Sequence, residues 1–393
     1  MHTSSTGLGR LSTPASALLA VLLVGVASAP AHADSIRSRQ WHLSAMKADE
    51  MWKVSTGKGV TVAVIDSGVK AIPELEGQVL EGKSFSTQSD DARIDRNGHG
   101  TTMAAVIAGT GRHPKGDGSF GLAPGAKILP VKVDLGAGKS DDIQTSRAIR
   151  YAADSEAKIM NISLGGPYDG SETRKAVKYA LGRGKLVFAA VGNSGKHGYT
   201  NYPAATPGVV GVAAIGKDIK ATKESQIGAH VDLAAPGEGI ITACTGETGL
   251  CDSHGSSDAT ALASASAALI WSKYPNWTNN QVLRVLINTA GAPTSGAKRN
   301  DYIGYGVVRP RIALSQTVDP GPADEYPLPD IKAADPKAPS AAPTPAAGAE
   351  KPAAAAKASD NGGHTTLWIG LGIGAAALLG AAIAVPAIRA RRG

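Results

Sequence analysis

Residues 60–68 read VTVAVIDSG, a near-continuous run of β-branched and apolar side chains that ends on a carboxylate. Such a run is typical of a strand that is buried on both faces of a parallel sheet. Active sites of α/β proteins lie at the carboxyl ends of these strands. Asp66 is therefore a candidate functional residue, although a position just before Gly68 also suits an ordinary turn residue.

Strand and helix patterns alternate downstream of this run. The sequence predicts further strands over 127–133, 159–164, 186–191, 209–215 and 230–234. It predicts helices over 140–155, 171–182 and from a capping box at Thr278 to about Ala290. This alternation indicates an α/β fold, with a doubly wound, mostly parallel sheet and helices on both of its faces.

A second informative stretch, residues 95–109, reads DRNGHGTTMAAVIAG. It places His99 between two glycines at the start of a helix of small residues. Histidine is the side chain best suited to accept a proton near neutral pH, so His99 is a candidate general base. The alternative is a helix-capping turn that contains an incidental histidine.

A third stretch, residues 254–260, reads HGSSDAT and opens a small-residue helix that continues to Tyr274, before Pro275. A serine in the first turn of this helix lies beside unpaired N–H groups and the positive end of the helix dipole. Such a position suits a nucleophile whose reaction develops negative charge. We interpret Ser257 as that nucleophile; the alternative is that Ser256 and Ser257 only cap the helix.

Asp66, His99 and Ser257 together supply an acid, a base and a nucleophile. The base removes the serine proton, and the carboxylate fixes the tautomer of the base and stabilises its positive charge. The oxyanion formed needs hydrogen-bond donors, and the Asn193 side chain and the Ser257 backbone N–H are the candidates. These residues together predict hydrolysis through a covalent acyl-enzyme.

These segments resemble the motifs of the subtilisin-like serine proteases, the subtilases. The resemblance is carried by residues 64–68, 97–101, 163–166, 192–193 and 255–257. The chain order Asp, His, Ser is the subtilisin order. The resemblance implies an endopeptidase that acts on polypeptides and needs no cofactor in its chemistry. Subtilases often bind structural calcium, but the acids at positions 90, 91 and 95 form no assignable site, and we predict no metal ligands.

The resemblance also implies how the substrate is bound. Ser163, Leu164 and Gly165 should pair through their backbones with an extended substrate, as an added β-strand. Gly166 and residues 189–191 should form part of the wall of the pocket for the side chain that precedes the cleaved bond. Plain turn chemistry is the alternative explanation of the glycines.

The segment around the nucleophile departs from the usual subtilase pattern. Ser256 stands where the family usually has threonine, Asp258 replaces a large apolar residue, and Ala261 replaces a proline. The added carboxylate of Asp258 has three possible consequences: a higher pKa of His99, discrimination against acidic substrates, or simple compensation of the helix dipole.

The first 33 residues are predicted to be a secretory signal peptide. Arg10 supplies the charge, residues 17–26 the apolar core and residues 31–33 a small-x-small cleavage pattern. An exported chain can oxidise its cysteines, so we predict a disulfide between Cys244 and Cys251, the two cysteines of the sequence. Two free, buried thiols are the alternative.

The C-terminal part of the sequence predicts a membrane anchor. A peptidase domain over 34–318, with a short N-terminal extension, is followed by a Pro/Ala-rich linker over 319–364. Residues 365–388 form an apolar run of the roughly 20 residues that a transmembrane helix needs. The basic tail, 389–393, is predicted to be cytoplasmic by the positive-inside rule. The protein is therefore expected to be a single-pass protein of the cell membrane with an extracytoplasmic catalytic domain.

This arrangement resembles the mycosins, membrane-anchored subtilases associated with type VII secretion, and it implies a type VII secretion complex as a partner. A scaffold in such a complex, with little or dispensable proteolysis, is the alternative function. The net charge of +7 is dispersed along the chain apart from the basic tail, which argues against binding of nucleic acid.

Overall fold

The computed structural model describes Ser4 and residues 35–88, 91–114, 116–136 and 139–331. The rest of the predicted signal peptide, the predicted span 365–388, the tail 389–393 and most of the predicted linker lie outside the described residues. Among the helices of the described ranges, none combines the length and the apolar character that crossing a bilayer requires.

The described residues form nine strands and nine α-helices. The strands are β1 Thr61–Asp66, β2 Lys83–Ser84, β3 Lys127–Lys132, β4 Ile159–Ile162, β5 Leu186–Ala190, β6 Val210–Ile215, β7 Leu233–Pro236, β8 Ile240–Ala243 and β9 Leu250–Ser253. The helices are α1 Ile36–Arg39, α2 Trp41–Met46, α3 Ala48–Trp52, α4 His99–Ala108, α5 Lys139–Asp154, α6 Ser171–Gly182, α7 Ser256–Lys273, α8 Asn279–Asn288 and α9 Pro310–Ser315.

The first seven strands make one parallel sheet in the order β2-β3-β1-β4-β5-β6-β7. Side chains along β1 alternate between two cores, as a strand buried on both faces requires. Val62 and Val64 join the core that contains α4 and α7, whereas Ala63 and Ile65 join the core that contains α5 and α6. The predicted α/β fold, with a parallel sheet between two helical layers, is confirmed.

Helix α7 is the central helix of the layer that also contains α4. All its residues from Ser256 to Trp271 are buried. Alanine and serine dominate its sequence, and such small side chains let the helix lie close to the sheet and to α4. The first turn of α7, which carries the two serines, is therefore fixed by packing along the whole helix.

The structure adds elements that periodicity did not predict. The β8–β9 hairpin and the short helices α1–α3 contain four to six residues per element, too few for a periodic pattern to be legible. The strand predicted at 230–234 lies at Leu233–Pro236 instead. The capping box of α8 forms as predicted, with Thr278 and Gln281 exchanging hydrogen bonds.

Residues 319–331, the first part of the predicted linker, pack against the domain. Arg284 of α8 donates hydrogen bonds to the carbonyls of Pro320, Pro322 and Glu325, and the Leu328 side chain is buried. Backbone carbonyls accept these three hydrogen bonds, so the side-chain composition that suggested a linker carried no sign of them.

Candidate active site

Asp66 and His99 meet at the carboxyl end of the sheet. Asp66 is the last residue of β1, and His99 is the first residue of α4. The imidazole Nδ1 lies 2.8 Å from Asp66 Oδ1 and 3.0 Å from Oδ2. The Asp66 carboxylate is fully buried, whereas about a third of the His99 ring remains exposed. This geometry fixes one edge of the imidazole and leaves part of the ring exposed.

The approach of α4 to β1 requires a glycine next to the histidine. A Cβ placed on Gly100 would lie 2.1 Å from the carbonyl oxygen of Gly68 and 3.0 Å from the Asp66 Cβ. Since real side chains do not tolerate such distances, a larger residue would displace the first turn of α4. The glycine after His99 is thus what allows the Asp66–His99 hydrogen bond.

Asp95 organises the loop that delivers His99, a role that the sequence did not reveal. Its Oδ1 accepts hydrogen bonds from Ser67 Oγ and from the Asn97 and Gly98 amides. Its Oδ2 accepts from the amide and hydroxyl of Thr101. An aspartate shortly before a glycine-flanked histidine was the available signal, but it reads equally well as a turn residue.

The charge of Asp66 strongly affects the base. Attraction to this buried carboxylate raises the pKa of His99 from 6.5 to about 9, against the opposing effect of burial. Asp258 and Asp95 add smaller contributions in the same direction. The arrangement therefore stabilises an imidazolium, the form that a general base takes after it accepts a proton.

The two serines at the start of α7 differ in their surroundings. Ser256 is fully buried, and its Oγ donates to Asn193 Oδ1 at 2.8 Å while it accepts from the Gly192 amide. Ser257 is 8% exposed, and its Oγ donates to the Ser163 carbonyl at 3.1 Å. Among the described residues, no hydrogen bond joins Ser257 to His99. Of the two serines, Ser257 is the more exposed.

Asn193 lies beside Ser256, in the loop after β5. Its Oδ1 accepts hydrogen bonds from the Ser256 amide and hydroxyl, both at 2.8 Å. The oxygen end of the amide is therefore occupied, and Nδ2 is left as the donor. A Cβ on Gly255 would lie 2.7 Å from Nδ2, and the φ of Gly255 is +121°, so a glycine is needed there on both counts.

The segment predicted to bind the substrate backbone follows β4. Ser163 and Ser257 exchange two hydrogen bonds. Ser257 Oγ donates to the Ser163 carbonyl, and Ser163 Oγ donates to the Ser257 carbonyl. Gly166 forms a two-hydrogen-bond antiparallel bridge with Tyr202. Leu164, Gly165 and Gly166 line a small cavity of about 40 Å³, which they share with Tyr202 and other residues.

Asn201 is a second residue of this region that the sequence did not reveal. It is buried, and its Nδ2 donates to the Ala190 carbonyl at 2.7 Å. Its amide also lies where a Cβ on Gly165 would be. Asn201 therefore links residues 189–191, which are buried, to the predicted substrate segment. Only contact between distant parts of the chain defines this role.

The two cysteines form the Cys244–Cys251 disulfide, as predicted from the sequence. Cys244 directly follows β8 and Cys251 lies in β9, so the bond closes the hairpin that leads into α7. Within the described ranges, no cluster of three or more His, Cys, Asp or Glu side chains has a geometry that could hold a metal ion.

Residues 57–306 match the subtilase family. The chain is 36% identical to subtilisin Savinase of Lederbergia lenta over 259 residues, which cover 66% of this chain and 91% of that protein. Its fold is similar to the crystal structure of MycP1 from Mycobacterium smegmatis, with a TM-score of 0.65, 27% identity and coverage of 75% of this chain and 88% of that one.

A second similar structure is the MycP3 protease from the type VII (ESX-3) secretion system, with a TM-score of 0.64 and 30% identity. The match covers 74% of this chain and 90% of that one. Both structures are mycosins, so the likeness extends to that group as well as to subtilisin Savinase. The chain belongs to the subtilase family and is a subtilisin-like serine endopeptidase.

Proposed function

We propose that this protein is a mycosin-like endopeptidase that cleaves polypeptides with Ser257 as nucleophile, His99 as general base and Asp66 as the partner of the base. The observation that carries the proposal is the 2.8 Å hydrogen bond between Asp66 and His99. It lies at the carboxyl end of the sheet, where the first turn of α7 carries Ser257. A base fixed by a buried carboxylate and a serine in the first turn of the helix that packs on the helix of the base are the groups that acyl transfer needs.

The reaction begins when Ser257 Oγ attacks the substrate carbonyl and His99 takes the hydroxyl proton. In the resting structure this hydroxyl donates to the Ser163 carbonyl. An extended substrate that pairs with Ser163 offers its own backbone N–H to that carbonyl. Substrate binding thus competes for the partner of Ser257 Oγ and frees the hydroxyl to turn toward His99.

The tetrahedral intermediate carries a negative oxygen, for which Asn193 Nδ2 and the Ser257 backbone N–H are the proposed donors. Ser256 supports this role because it occupies the oxygen end of the Asn193 amide with two hydrogen bonds. His99 then returns the proton to the leaving amine, and water hydrolyses the acyl-enzyme by the same route.

The proposal extends to the location of the enzyme. The signal peptide, the apolar run at 365–388 and the basic tail predicted from the sequence support a catalytic domain held on the outer face of the cytoplasmic membrane. Likeness to MycP3, which is described as a protease from a type VII secretion system, supports a substrate or partner within such a system.

Peptide hydrolysis by the purified full-length protein tests the chemistry. Wild-type protein is expected to cleave an unstructured polypeptide, and Ser257→Ala to lose this activity while it keeps its fold. The matched control is Ser272→Ala, a change on the same helix at its opposite end. Equal cleavage by wild type and Ser257→Ala would refute the proposed nucleophile.

Cells that express the Ser257→Ala protein distinguish the enzyme from a scaffold. If proteolysis is the main role, cells with the Ser257→Ala protein and cells that lack the chain should release the same set of proteins. That set should differ from the proteins that wild-type cells release. Normal secretion with the Ser257→Ala protein, but not without the chain, would favour the scaffold function.

A further inference from the structure

Asp258, the residue after the proposed nucleophile, is a fully buried acid on the first turn of α7. Its Oδ2 accepts a hydrogen bond from Ser253 Oγ at 2.9 Å. Its Oδ1 is buried and has no hydrogen-bond partner within the described part of the chain. Because the side chain is buried, any influence of Asp258 on a bound peptide acts through its charge and not through direct contact.

A buried carboxylate with one unsatisfied oxygen is costly unless a positive charge lies nearby. Two histidines act on Asp258: His99 of α4, and His254, which directly precedes α7. His254 is mostly exposed and already shares its proton with Glu224, whose Oε1 lies 2.9 Å from the ring. Of the two histidines, His99 is the less exposed, and it acts on Asp258 more strongly.

We propose that Asp258 is a positioning residue for the protease reaction, whose buried negative charge stabilises the imidazolium that His99 becomes when it takes the Ser257 proton. The proposal rests on the catalytic roles assigned above. It gives the reacting base a second anion besides the hydrogen-bonded Asp66. Asp258 directly follows Ser257, which bonds to Ser163 just after β4, the neighbour of the strand that ends at Asp66. The role also explains why an acid occupies a position that burial alone would fill with an apolar side chain.

The charges around the two groups agree with this role. Asp66 of β1 and Asp95 of the loop before α4 also favour the protonated form of His99. Burial raises the pKa of Asp258 to about 6, and the two histidines oppose this rise. The pKa of His99 is raised to about 9. Asp258 is therefore ionised throughout the pH range in which His99 loses its proton.

Two effects follow from the same interaction. An anion that stabilises the imidazolium speeds proton transfer from Ser257 when His99 starts neutral. It also makes resting His99 keep its proton to higher pH, so the enzyme works in a more alkaline range. Removal of the charge should therefore lower the maximal rate and extend activity toward lower pH.

The pH profiles of kcat and kcat/KM for wild type and Asp258→Asn test the proposal. We expect the acid limb of kcat/KM to move down by roughly 0.5–1 pH unit, and kcat on the alkaline plateau to fall several-fold. The matched control is Asp252→Asn, which removes an exposed carboxylate in β9 and should leave both profiles unchanged. A loss of rate with the acid limb unmoved would reduce Asp258 to a structural residue and overturn the proposal.

A titration of His99 by NMR in the inactive Ser257→Ala protein is independent of turnover. The pKa of His99 should fall when Asp258→Asn is added and stay constant when Asp252→Asn is added. If Asp258→Asn does not fold, Ser253→Ala provides the test, since it removes the hydrogen bond that favours the ionised carboxylate and should lower the pKa of His99 less. An unchanged His99 titration refutes the coupling, whereas absent peptide cleavage by wild type refutes only the proposed function.

Discussion

The Asn193 amide illustrates how single atoms are held at this site. Ser256 donates to its Oδ1 twice, through the backbone and through the hydroxyl. The amide therefore cannot turn its oxygen outward without losing both bonds. A donor preorganised in this way stabilises the transition state without reorganisation during the reaction.

Replacement of Asn193 by alanine should reduce kcat by about 10²–10³ with little change in KM, because the lost bond is made mainly to the oxyanion. Ser256→Ala should have a smaller effect, since the Ser256 backbone N–H still holds Oδ1. Steady-state kinetics on a peptide substrate measure both changes. A kcat for Asn193→Ala close to the wild-type value would exclude this side chain from the oxyanion hole.

The raised pKa of His99 predicts opposite trends in activity and stability. Activity needs neutral His99, so kcat/KM should rise with pH and reach half its maximum near the pKa of about 9. The Asp66–His99 pair contributes stability that is fully present below pH 6.5 and is lost as pH rises through about 9. Half-maximal kcat/KM at or below pH 6.5 would contradict the strong influence of Asp66.

Single residues were predictable where a motif stood at a strand end or a helix start. Asp66, His99 and Ser257 could be selected because local patterns placed each of them at such a point. Asp95 and Asn201 could not, because their roles consist of hydrogen bonds to segments that only the folded chain brings near.

At the element scale, α7 and the strands β1 and β3 to β6 were predictable because burial on every side leaves a continuous apolar or small-residue run. The two-residue strand β2 was not predicted. The β8–β9 hairpin was not predicted, although its disulfide was. Its strands are too short for a periodic signal. Their antiparallel pairing forms only in the folded chain, and it runs from Ile240 opposite Ser253 to Ala243 opposite Leu250. The hairpin matters because β9 leads directly into the first turn of α7.

Loss of the Cys244–Cys251 bond should lower the free energy of unfolding by about 2 kcal/mol, the value expected for a short closed loop. Chemical denaturation of wild type with and without reductant measures this. The double variant Cys244→Ser/Cys251→Ser is the control: it should match reduced wild type and be insensitive to reductant, because the chain has no other cysteines. Equal stability of oxidised and reduced protein would show that the bond does not brace the hairpin.

At the scale of the whole molecule, the segment 319–331 extends the folded unit beyond the residues that match the subtilase family. Tyr326 donates to the Gly208 carbonyl at 2.7 Å, and Asp330 accepts from the Gly208 amide at 2.8 Å. Both bonds hold the chain just before β6. Residues 319–331 therefore belong to the folded part of the chain, although their composition suggested a linker.

A chain that ends at residue 318 should accordingly be less stable than one that ends at 331. Burial of Leu328 alone accounts for about 2 kcal/mol, before the Arg284 and Gly208 contacts are counted. Thermal unfolding of the two chains, each starting at residue 35, compares them directly. Identical melting temperatures would mean that this segment does not belong to the folded domain.

The location of the reactive hydroxyl tests the account most directly. Wild-type protein is treated with a fluorophosphonate, digested, and examined by mass spectrometry for the modified residue. We predict one adduct, on Ser257. It should be absent from the His99→Ala protein and present in the Ser272→Ala protein. An adduct on Ser256, or labelling that does not depend on His99, would contradict it.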